Sequence, residues 1–176
     1  MLKSRICKVV AFASLVFAFS GIASAQSSGN QTFTVIVPSS LSITAPTAAT
    51  LTHDQSDSPQ AFPAQAWVVK GNSRTGVAVT FATASPFVHS TDATFKRDAK
   101  LQLALGTTQG PAAWSVGVSN DVTDYAANDN VAQVTASSNG VGRANLNLSV
   151  SFIGGDYSLF AAGDYVTTVT GTVAAN

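Results

Sequence analysis

The side chains of this chain that could do chemistry are few, and most of them are aspartates. Asn120-Asp121-Val122-Thr123-Asp124-Tyr125-Ala126-Ala127-Asn128-Asp129-Asn130 gathers carboxylate and amide oxygens into one stretch. Calcium takes about six to eight oxygen ligands. Asp121, Asp124, Asn128 and Asp129 are therefore candidate metal ligands, and calcium is the cation that suits them. The stretch lacks the spacing and central glycine of an EF-hand. Its composition is equally that of a solvated connection built from turn formers. No other cofactor is implied.

The remaining groups argue against catalysis. A glycosidase needs two facing carboxylates. Asp92, Asp98, Asp121 and Asp124 are the candidates, and all lie in turn-like contexts where aspartate usually serves its own backbone. The two histidines, His53 and His89, have no second ligand at a zinc-site spacing. Gly71-Asn72-Ser73-Arg74-Thr75-Gly76 approaches the Gly-x-Ser-x-Gly elbow of hydrolases, but with the wrong spacing and at the start of a strand. The single cysteine, Cys7, lies in the leader described below. The expectation is a protein that is not an enzyme. Trp67, Trp114, Tyr125, Phe87 and Phe160 are rings that could form a sugar-binding platform; Trp67 and Trp114 fall within alternating strands and read as core, which leaves Tyr125 and Tyr157, both in loops, as the exposed rings.

The chain that must position these groups opens with Lys3, Arg5 and Lys8, then an uncharged apolar run from Val9 to Phe19, then Ala23-Ser24-Ala25. This is the layout of a secretory signal peptide. The run is about 11 residues, short of the roughly 20 that span a bilayer. Residues 1–25 are thus read as a cleaved leader. Residues 26–176 are read as one exported domain, bound for the periplasm, the cell surface or the medium, with no membrane span. That part has no cysteine, so a buried core must hold it together without disulfides.

All nine acidic residues of the chain are aspartate, and only 10% of residues are charged, against about 25% in an average domain. Without glutamate, and with few lysines and arginines, strong helix formers are scarce. Thr and Val fit a pleated surface instead. From Gln26 onward six basic residues (Lys70, Arg74, Lys96, Arg97, Lys100 and Arg143) face nine aspartates. A mildly acidic chain without a basic run excludes nucleic acid as a partner.

Period-two alternation recurs along the chain. It is seen at Phe33-Val35-Val37, Leu41-Ile43, Trp67-Val69, Val77-Val79-Phe81, Leu101-Leu103-Leu105, Trp114-Val116-Val118, Val131–Ala136, Ala144-Leu146-Leu148-Val150-Phe152 and Asp164–Val173. About eight strands separated by turns predict an all-β, antiparallel sandwich with Greek-key, immunoglobulin-like order. In Leu159-Phe160-Ala161-Ala162-Gly163-Asp164-Tyr165 the tyrosine follows a small-residue turn, and resembles the tyrosine corner of such sandwiches.

The run from Ala162-Gly163-Asp164-Tyr165 to Thr172-Val173 resembles the C-terminal strand of secreted bacterial Ig-like modules, pilin-type subunits and spore-coat-protein-U-like domains. The resemblance covers about the last fifteen residues and the strand count. It implies a non-catalytic coat, fibre or cell-envelope subunit that associates with itself or with other cell-surface proteins. The alternative is an adhesion or carbohydrate-binding module, calcium-assisted, with a glycan as partner. Phe33 to Val37 could pair with a neighbour's sheet edge by strand addition. The simpler expectation is that it pairs at home as the first strand.

Overall fold

The computed structural model describes residues 26–176, so the leader lies outside the described residues. Its contacts divide the chain into two units, 1–36 and 37–176. In the first, residues 26–36 form no strand, and Phe33, Val35 and Ile36 are exposed. Val37 at the head of the second unit is exposed too. The expectation of a home-paired first strand at Phe33 to Val37 is not met. Pro38 removes a ladder donor at that point, and the first ladder forms instead at Leu41–Thr44.

The second unit is all-β and antiparallel. Its strands are β1 (Leu41–Thr44), β2 (Gln60–Ala61), β3 (Gln65–Gly71), β4 (Val77–Thr83), β5 (Phe87–His89), β6 (Lys96–Arg97), β7 (Ala99–Gln109), β8 (Trp114–Val116), β9 (Asn120–Val122), β10 (Gln133–Ser138), β11 (Gly142–Phe152), β12 (Tyr165–Val166) and β13 (Val169–Ala175). Two 3-10 turns, Tyr125–Ala127 and Tyr157–Leu159, are the helical elements among the described residues. One sheet runs β1-β3-β11-β7-β9, with β2 also on β11; a second runs β13-β4-β10-β8; a small third runs β12-β5-β6.

The alternating residues explain the layering. Val69, Leu101, Leu103 and Leu146 from the first sheet meet Val77, Val79, Phe81 and Val134 from the second in one buried aliphatic core. Trp67 and Trp114 are buried in it, as their positions in alternating strands predict.

Two departures have local causes. The alternation Leu101-Leu103-Leu105 fails at its third member, and Leu105 is largely exposed. There the β7–β11 register slips between Ala144 and Leu146, and such a bulge re-aims side chains. The predicted last strand is two strands. Tyr165–Val166 joins the small sheet, and Val169–Ala175 then crosses to pair with β4.

The long strands share two poles. Gly71, Val77, Gln109, Ser138, Gly142 and Ala175 lie at one, fixed by pairs such as Gly71 with Gly142 and Val77 with Ala175. Thr83, Ala99, Gln133, Phe152 and Val169 lie at the other. These are called the Gly71 end and the Phe152 end.

Candidate functional site

The Asp/Asn loop is built as a turn. Asp121 accepts from the backbone N–H of Val122 at 2.9 Å and of Gln133 at 2.8 Å, so both its oxygens are engaged. Asp124 caps the 3-10 turn by accepting from Ala127 N–H at 3.1 Å. Asn128 closes it in the left-handed region, φ 64°, which asparagine tolerates. Asp129 meets Asp124 through backbone bonds at 2.7 and 2.9 Å. The structure thus brings Asp124, Asn128 and Asp129 onto one turn and sends Asp121 to β10. No group of three His, Cys, Asp or Glu side chains able to hold a metal is found among the described residues.

The other candidates are also spoken for. Asp98 accepts from the Thr123 hydroxyl at 2.8 Å and from Tyr125 N–H at 2.9 Å. Asp92 accepts from the Thr94 hydroxyl and backbone N–H, which hold its carboxyl below the usual range. Asp54 and Asp156 are held low in the same way, by Ser56 and Ser158. His89 is buried; its Nδ1 lies 3.3 Å from Asp92 N–H, and its Nε2 lies 3.2 Å from the carbonyl of Ala162. Gly163 packs on this ring with φ 145°, where any Cβ would collide with it.

The site with open geometry gathers Trp67, Phe87, Phe160 and Tyr157, rings the sequence offered for sugar stacking, around a cleft the sequence did not locate. A cavity of about 1070 Å³ opens at the Phe152 end. Its floor is the inner face of β11 (Leu148, Val150 and Phe152) with Trp67 of β3. One wall is Tyr165 to Val169, where the chain changes sheets. The other is the irregular segment Ala45 to His53.

Phe152 is the hub of this end. Its ring lies 5.2 to 5.7 Å from those of Phe87, Tyr165, His53 and Phe160, edge to face. Tyr157 stacks on His53 at 5.4 Å, and the Arg97 guanidinium lies 4.2 Å above Phe160. Two polar atoms here are buried without a partner among the described residues, His53 Nε2 and Tyr165 Oη. The hydrogen bond that defines a tyrosine corner is therefore not made at Tyr165. His53 Nδ1 accepts from Gln55 N–H at 3.0 Å, so in the neutral ring the proton sits on Nε2.

The groove thus combines an apolar floor, an irregular wall and two polar atoms without a partner among the described residues, the general make-up of clefts that take ligands. The signal that could have found this groove was faint. It lay in Phe62, Phe87, Phe152 and Phe160, four phenylalanines that the alternating pattern does not pair with one another. No protein-family model, curated protein or solved structure matches the chain.

Proposed function

We propose that this chain is an exported, non-catalytic subunit of a coat, fibre or envelope layer, whose copies join by strand addition. We read the strand order as an Ig-like, Greek-key sandwich. The observation that carries the reading is a match between two parts of the chain. Phe33, Val35 and Val37 are large, apolar, spaced on one strand face and exposed. The groove at the Phe152 end is apolar, and Ala45 to His53 along its wall form no strand. Phe33 to Val37 of one copy, laid into the groove of the next, would bury both surfaces. Main-chain hydrogen bonds would supply affinity, and alternate side chains would supply fit. Each apolar side chain so buried contributes about 1.5–3 kcal/mol.

The test is assembly of the exported chain, followed by size-exclusion chromatography and negative-stain imaging. Polymers are expected from the native sequence and monomers from Phe33→Asp/Val35→Asp. A native chain that stays monomeric at high concentration would overturn the reading. A glycan is the second occupant worth testing, because Tyr157 presents a 38% exposed ring at the groove; a glycan array decides it.

A further inference from the structure

The charges of this domain are sorted by pole, and the sorting points to how copies would meet. All nine aspartates lie towards the Phe152 end. Asp54 and Asp57 precede β2; Asp92 and Asp98 flank β6; Asp121, Asp124 and Asp129 lie on β9 and the turn beyond it; Asp156 and Asp164 lie between β11 and β12. Lys96, Arg97 and Lys100 share that end. The Gly71 end carries Lys70, Arg74 and Arg143, and no acidic side chain among the described residues.

The two poles also differ in how their side chains meet the backbone. At the Phe152 end, aspartates accept the turn N–H groups, as Asp156 does from Ser158 at 2.9 Å. At the Gly71 end neutral amides accept backbone N–H groups from segments distant in the chain. Asn72 accepts from Ser40 N–H at 2.6 Å, and Asn139 accepts from Ala113 N–H at 2.8 Å. Asn72 also donates to the Pro38 carbonyl at 2.8 Å, which a carboxylate could not do; at Asn139 an acceptor suffices, yet no acidic side chain stands at this pole among the described residues.

The basic pole is also set against itself. Lys70 and Arg143 stand directly opposite each other on β3 and β11, and their other cross-strand neighbours are Ser42 and Gln109. Like charges placed opposite each other destabilise a sheet. All three basic side chains are exposed. Chain position completes the pattern. Pro38 and Ser40 are tied to Asn72 at the basic pole, so Phe33 to Val37 join the domain there. Asp54, Asp57 and Asp156 stand at the groove's lip, where Asp57 accepts from the N–H of Tyr157, a groove residue, at 2.8 Å.

We infer that copies stack head to tail, with Lys70, Arg74 and Arg143 of one docking on Asp54, Asp57 and Asp156 of the next, so that charge steers the donor segment to the acceptor groove. Such a contact joins unlike surfaces, and where its rotation does not close it propagates as a filament. It also opposes two copies meeting by like poles, since like-charge juxtaposition suppresses wrong pairings. The inference rests on the strand-addition reading and adds polarity to it.

A charge-swap experiment on the exported chain tests it. One variant carries K70D/R74D/R143D, and the other D54K/D57K/D156K. Each alone is expected to raise the concentration at which polymers form by roughly tenfold or more, and a mixture of the two to restore assembly. D54N/D57N/D156N, which keeps the turn acceptors, is expected to raise the threshold too; circular-dichroism melts identify any variant that fails to fold. Native assembly is expected to weaken in about 0.5 M salt, where screening is strong. Folded variants that each assemble as readily as the native chain, or a mixture of the two folded variants that stays monomeric, would overturn the inference. If Phe33→Asp/Val35→Asp blocks assembly and the folded charge variants do not, only the head-to-tail docking falls. If the native chain never assembles, the strand-addition reading falls and takes this inference with it.

Discussion

The aliphatic core and the aromatic cluster differ in how completely they are closed. In the first, Val69, Val77, Phe81, Leu101 and Leu146 are wholly shielded from water, because two sheets supply residues from both sides. In the second, Phe152 and Phe87 are buried while Phe62, Phe160, Tyr165 and Val150 remain half-buried around the cavity. The difference separates two uses of apolar surface. The closed cluster holds the fold together. The open one leaves apolar surface only half covered.

Substitutions that treat the clusters alike should therefore give unlike results. Phe81→Ala is expected to lose about 3–5 kcal/mol in urea unfolding, as for a fully enclosed ring. Phe160→Ala, whose ring already meets solvent, should lose about 1 kcal/mol or less by the same measurement. Equal losses would erase the distinction. Next in size is Thr123→Val at the junction of the Asp/Asn loop with β7. The Thr123 hydroxyl accepts from Ala99 N–H at 2.9 Å and donates to Asp98, so losing it strands a buried donor at a cost of about 1–3 kcal/mol.

Smaller again is Tyr165→Phe. It removes a hydroxyl that has no partner among the described residues, so the melting temperature should hold or rise; a clear fall would mean the hydroxyl is bonded in solution. The smallest effect is on pH dependence. Asp54, Asp92 and Asp156 have carboxyls held below 3.8 by neighbouring hydroxyls and backbone N–H groups. Their contribution is complete above the unfolded value and is lost as pH falls through the lower folded values. All three lie at the Phe152 end, so as pH falls through the lowered folded values, amide protection should be lost in their loops before it is lost near Asn72 and Asn139.

Much of this was legible in the residues themselves. The alternation from Ala144 to Phe152 is the central strand, and the tryptophans sit where their parity places them. Parity carries that information because side chains in a strand alternate faces. What it does not carry is whether a matching segment finds a home. Phe33 to Val37 carries apolar residues at alternate positions as Val77 to Phe81 does, yet only the latter lies in a ladder, since a strand needs an available neighbour as well as a pattern. The groove was hidden for a related reason. Its two walls, Ala45 to His53 and Tyr165 to Val169, lie about 110 to 125 positions apart in the chain, and no local period links them. The shift of register at Leu105 was hidden too, because a bulge is a fault in pairing between two strands and neither strand shows it alone.

The β1–β3 ladder has a mechanical consequence. β1 begins level with Gly71 and runs down the domain to reach Val68 at Thr44. A tug on the segment before Pro38, directed along the strand axis and resisted from the opposite pole, would slide β1 past β3. Its rungs would be strained together instead of parting one after another. Four residues are few for such a joint, and it would be the first seam to shear under load.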